Sequence, residues 1–136
     1  MMRIASATLS GILGILTIGT GVYFAALRPA MLPEDQRLTG VELDSLPPAY
    51  ASWLSIVFRT WGGFMIGFGV LLLACAIYLR TNNSLWLRGG IALSVIVAFG
   101  MFLVSNLQIG SDFLWFVATL FVLAALAAVA TLRRGT

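Results

Sequence analysis

Residues 4–27 read IASATLSGILGILTIGTGVYFAAL, twenty-four uncharged residues between Arg3 and Arg28, and they decide what kind of protein this is. A helix rises about 1.5 Å per residue and the hydrocarbon layer is about 30 Å thick, so about 20 such residues cross it. Inside lipid a spanning stretch must pair its own N–H and C=O groups, which makes it a helix. Three further runs match. Thr60–Leu79 has 20 uncharged residues and extends back through Arg59 towards Trp53; Gly89–Ser111 has 23 and Phe113–Leu132 has 20. The chain is therefore predicted to be an all-α integral membrane four-helix bundle, one domain over 1–136, with spans at about 4–27, 53–79, 89–109 and 112–132. A secretory signal has an apolar region of only about 7–15 residues, so the first helix is expected to be retained.

Composition agrees. The 136 residues are 60% hydrophobic and 10% charged, with a mean hydropathy of +1.02, where soluble domains carry about 25% charged residues. A soluble enzyme, a disordered tail and a nucleic-acid module are excluded. With no His, haem held by two imidazoles and most zinc or copper sites lack their usual ligand. The single Cys75 cannot form a CxxC pair, and with no Lys there is no Schiff-base amine. No cofactor, metal site or catalytic group is expected.

The arginines report topology. Arg3, Arg80, Arg88, Arg133 and Arg134 fall at one end of the four spans, and Arg28 and Arg37 at the other. The positive-inside rule then puts both termini in the cytoplasm and the long connection, Arg28 to Ser52, outside. All five acids (Glu34, Asp35, Glu42, Asp44 and Asp112) fall on that outer side. Tyr23, Trp53 and Trp115 mark one interface, Tyr78 and Trp86 the other. Asn82, Asn83 and Ser84 suit a reversal between the second and third spans. The long connection carries four prolines and reads as a solvated loop, with Pro47 and Pro48 suited to the first turn of the following helix.

Small residues recur at helix-facing spacing: Ser10, Gly14, Thr17 and Gly21; Gly63 and Gly67; Gly90, Ser94 and Ala98; Ala124 and Ala128. In lipid, close backbone approach through such residues supplies helix association. They are expected to pack one bundle, with a homo-oligomer contact as the other use. Cys75 reads as a small apolar residue.

Arg59 carries the most information. If its helix enters the membrane near Trp53, Arg59 sits about 9 Å inside the boundary. An Arg at the helix centre costs about 2.5–3.5 kcal/mol, less when its stem lets the charge reach the interface. Such a residue snorkels or turns inward to a partner. Asn106 lies at similar depth, with Asp112 and Tyr23 nearer the surface, so Arg59, Asn106, Asp112 and Tyr23 form a candidate ligand-binding cluster. Asp112, with Ser111, also reads as the N-terminal cap of the last helix. No Asp or Glu lies inside a span, which argues against a proton-coupled carrier of the small multidrug type.

The segment Phe58-Arg59-Thr60-Trp61-Gly62-Gly63-Phe64-Met65-Ile66-Gly67-Phe68-Gly69 resembles the opening of the second helix in DoxX-like small four-helix membrane proteins. That resemblance implies a four-helix bundle, and its name-giving member is a subunit associated with a quinone-linked oxidase. It carries over Arg59 and the glycines as a matching segment, with no catalytic role.

The expectation is a non-enzymatic, multi-pass protein of a bacterial-type inner membrane. It would be an accessory subunit or binding module whose partners are the bilayer and a second membrane protein or lipid-like ligand, and not a nucleic acid. The alternative is a small oligomeric transporter or channel for a hydrophobic or anionic solute.

Overall fold

A computed structural model describes residues 2–81 and 84–133, with side chains from Ile4 onward. Arg134, Asn82, Asn83 and the side chain of Arg3, which contributed to the topology reading, lie outside the described residues. Five α-helices follow one another: α1 (Met2–Val22), α2 (Pro33–Thr39), α3 (Pro48–Thr81), α4 (Leu85–Ile109) and α5 (Leu114–Leu132). Four segments are long and apolar enough to cross a membrane: Ile4–Leu27, Pro48–Thr81, Leu85–Ile109 and Leu114–Leu132. The protein is a multi-pass membrane protein built as a helical bundle.

Local chemistry sets the boundaries. Pro48 opens α3, where its missing N–H costs nothing, and the Pro47 carbonyl accepts from Tyr50 and Ala51. The helix thus starts five residues before Trp53 and runs 34 residues, about 51 Å. Ser84 caps α4 by accepting from the amide of Leu87, and Gly110 ends it at φ 67°, in the left-handed region open to glycine. The last turn of α1 widens into a π-helical turn, Tyr23–Leu27, closed by the Arg28 amide on the Tyr23 carbonyl at 2.8 Å.

The spanning helices form a ring in which α1 lies between α3 and α5, and α4 packs on α5. Between α3 and α4 the backbones stay apart and large side chains bridge them, Phe68 meeting Phe99 with ring centres 6.4 Å apart. Leu13, Leu72, Ala92, Val95, Phe99, Leu120, Ala124 and Ala128 make the core. At the end holding the two chain termini, Ser6 and Thr131 share a hydrogen bond of 2.9 Å. There the buried Arg88 donates to the carbonyls of Thr131 and Arg133, filling acceptors that the last turn of α5 leaves open. Arg88 was expected as a charge in a solvated turn; it is a clamp between α4 and α5.

The closest approach is between α1 and α3, and it runs on glycine. A methyl on Gly62 would stand 2.5 Å from the amide nitrogen of Ala25 and 2.6 Å from the Gly21 carbonyl. One on Gly69 would stand 2.7 Å from the Gly14 carbonyl. The GxxxG pair expected to pack the bundle does not do so: at Gly63 and Gly67 an added methyl meets nothing within 4 Å. Gly90, Ser94 and Ala98 likewise lie off the core face of α4, while Ala124 and Ala128 are buried as expected. The physical reason is angular. Neighbouring positions on a helix are about 100° apart, so Gly62 and Gly63 cannot both face α1.

Gly62→Ala and Gly69→Ala should therefore each lower the unfolding free energy by about 1–3 kcal/mol through overpacking. Gly63→Ala and Gly67→Ala should raise it by about 0.5–1 kcal/mol through helix propensity. Denaturant titration in detergent, followed by circular dichroism, separates the two pairs.

Candidate functional site

Charge gathers at the end of the bundle opposite the chain termini, where the connection from Arg28 to Pro47 folds over the helices. The connection contains α2 and a single 3-10 turn at Leu43–Ser45. Pro33 at the helix start and Glu34 and Asp35 in the first turn favour α2, and Gly40 at φ 68° ends it. Asp35 turns back to accept from the amide of Leu32 at 2.8 Å.

Arg28 holds this segment down. Its side chain is 5% exposed, and its guanidinium lies face-on over Phe58 of α3, 3.4 Å from the ring centre. Phe24 flanks it at 5.7 Å. One terminal nitrogen donates to the carbonyls of Pro29 and Ala30, at 2.9 and 3.4 Å; the other pairs with Asp35 at 2.5 Å. A flat, weakly hydrated guanidinium suits this sandwich, which an ammonium would fill poorly. The π-helical turn supports it by placing Phe24 between Phe58 and Phe102.

Two further acids reach the turn between α4 and α5. Glu34, expected in a solvated loop, is 2% exposed; the Ser111 hydroxyl donates to its Oε1 at 3.2 Å. Among the described residues no group pairs with its Oε2, nor with the Nε of Arg28. Asp112 accepts from Arg37 at 2.7 Å in an exposed pair, and this hydrogen bond raises the Arg37 pKa above its ordinary value. Neither Asp112 nor Ser111 is the N-cap of α5, which is Phe113 with no side-chain capping bond; just ahead of it the Ser111 hydroxyl accepts from the Phe113 amide and the Ser111 carbonyl from the Leu114 amide.

The four residues expected to converge stand as follows. Arg59 is exposed, with no hydrogen bond or ion pair among the described residues. It follows Phe58, on which Arg28, the residue after the first span, stacks. Asn106 donates back to Phe102 of its own helix at 2.9 Å. Asp112 is committed to Arg37, and Tyr23 lies edge-on to Phe24 in the π-helical turn. No hydrogen bond or ion pair among the described residues joins any two of them.

The residues that do converge are Arg28, Glu34, Asp35 and Ser111. Pro33-Glu34-Asp35 is a helix-start signature and could have revealed α2. Nothing in the order of residues announces that Glu34 turns inward. Comparison with protein-family models, with curated proteins and with solved structures gave no match to the chain.

Arg28→Gln removes the stacked cation and should destabilise the docked segment by about 2 kcal/mol. Faster hydrogen exchange at the amides of α2 would report it, whereas Arg37→Gln, losing an exposed pair, should leave those rates unchanged. Glu34→Gln keeps the acceptor for Ser111 and removes a buried, half-satisfied charge, so the thermal midpoint should rise. A fall would mean that the carboxylate is structurally needed.

Proposed function

We propose that the protein is a non-enzymatic accessory subunit or binding module of a bacterial-type inner membrane, and that it binds through the outward face of α3. One observation carries this reading. Arg59 is an exposed guanidinium on an apolar helix, without a partner among the described residues, and Gly63 and Gly67, one and two turns on, are uncovered. A charge on a membrane-spanning helix without such a partner is by default a contact for something else.

The orientation with both termini in the cytoplasm is part of the proposal. It rests on the arginines beside the spans, with Arg80 and Arg88 flanking the short turn at the end assigned to the cytoplasm. The uncovered Arg59 segment is the same one that resembles DoxX-like proteins, and an accessory role is in keeping with that resemblance. In the transporter reading the face of α3 would instead join copies of the chain.

In a Cys75→Ala background, a membrane-impermeant maleimide should label Asp44→Cys in intact cells and Ser84→Cys only after permeabilisation. Native mass spectrometry of the protein, extracted gently from its own membrane, should show a reproducible added mass that Arg59→Leu loses while its helix content is unchanged. An added mass indifferent to Arg59→Leu would refute the binding face.

A further inference from the structure

The groove beside Arg59 has a shape that narrows the chemistry of its occupant. It is a shallow, open groove along α3, lined by Thr60, Gly63, Phe64, Gly67, Phe68 and Leu71. Thr60 turns its hydroxyl onto the Ile56 carbonyl at 2.9 Å, so its methyl and the glycine backbones leave an apolar floor. Phe64 stands 76% exposed at the rim. Arg59 precedes Gly63 and Gly67 at four-residue steps, which places its guanidinium on the same side of the helix, at the end of the groove.

Three occupants can be compared. A second copy, packed in parallel across Gly63 and Gly67, would bring two Arg59 side chains to one level with no carboxylate of α3 between them. A helix from another protein would need a carboxylate at the level of Arg59 and would have to approach past Phe64, which stands exposed at the rim. An anionic phospholipid needs neither. Its phosphate lies at the membrane boundary, where the long stem of an arginine carries its charge, and its acyl chain is flexible enough to follow an irregular apolar groove. Guanidinium and phosphate also match as a bidentate pair.

We infer that α3 binds one anionic phospholipid, with the phosphate on Arg59 and an acyl chain along Gly63 and Gly67 beside Phe64, Phe68 and Leu71. This rests on the reading of the α3 face as the binding face. The glycines then have a role beyond packing: they keep the groove open for the chain. Arg59 fixes headgroup charge, and the groove fixes depth and direction.

The test titrates delipidated protein with dioleoyl phosphatidylglycerol or dioleoyl phosphatidylcholine and counts retained lipids by native mass spectrometry. Wild type should retain one phosphatidylglycerol in preference to phosphatidylcholine. Arg59→Leu should weaken phosphatidylglycerol retention about fivefold, the worth of one basic residue near an anionic surface, and abolish the preference. Gly67→Leu, which fills the groove at a position with free space around it, should weaken both lipids. Equal retention of the two lipids by wild type, or unchanged phosphatidylglycerol retention by Arg59→Leu, would overturn the inference. A polypeptide found on the native protein and lost in Arg59→Leu, with no lipid preference in the titration, would overturn it while sparing the binding-face reading.

Discussion

The structure depends on the approach of two backbones. Lipid tails are as apolar as leucine, so nothing squeezes helices together in a bilayer as water does in a soluble core. Association must come from contact itself. Gly14 and Gly21 on α1 and Gly62 and Gly69 on α3 supply it, each pair separated by two turns, and the carbonyls of one helix lie where the methyls of the other would be. That contact fixes the rotation of α3. Once Gly62 faces α1, Phe58 must lie beneath the chain leaving α1, and Gly63 and Gly67 must face away.

Two consequences follow at opposite ends of the bundle. Where α1 ends, the π-helical turn and the stacked Arg28 convert the exit of the chain into a fixed corner, from which α2 reaches across to Ser111 and Asp112. At the termini, Arg88 and the Ser6–Thr131 pair join α4, α5 and α1. Arg28, Arg37 and Arg88 thus work as fastenings, and Arg59 carries no such duty among the described residues. The weak seam between α3 and α4, bridged by Phe68 and Phe99, leaves these two helices free to differ in length and tilt.

The four spanning helices were legible in the sequence because hydrocarbon thickness alone dictates run length. Pro47 and Pro48 announced where the second of them begins, and the core alanines of α5 were legible as small residues at four-residue spacing. The faces were not. Gly62 and Gly63 differ by one position, and which of them meets α1 depends on rotation, set by contacts that no local pattern contains. Arg59 was noticed for its charge, but two of the partners expected for it are bonded elsewhere, Asn106 to Phe102 and Asp112 to Arg37. Glu34 was missed altogether: in a loop rich in proline and acid, solvation is the ordinary fate, and only the turn between α4 and α5 gives it a place to be buried. Arg28 was read as a topology signal, since the ring that receives it, Phe58, is thirty positions further along.

The central claim is that α3 spends one glycine face on α1 and presents the other to lipid. Amide resonances of glycine-labelled protein, recorded in bicelles with lipids spin-labelled along their acyl chains, test it without altering a residue. Gly62 and Gly63 lie at the same depth, as nearly do Gly67 and Gly69, so the comparison isolates direction. Strong broadening of Gly63 and Gly67 with Gly62 and Gly69 spared is the predicted result. Broadening of Gly62 and Gly69, with Gly63 and Gly67 protected, would contradict the packing from which everything else here follows.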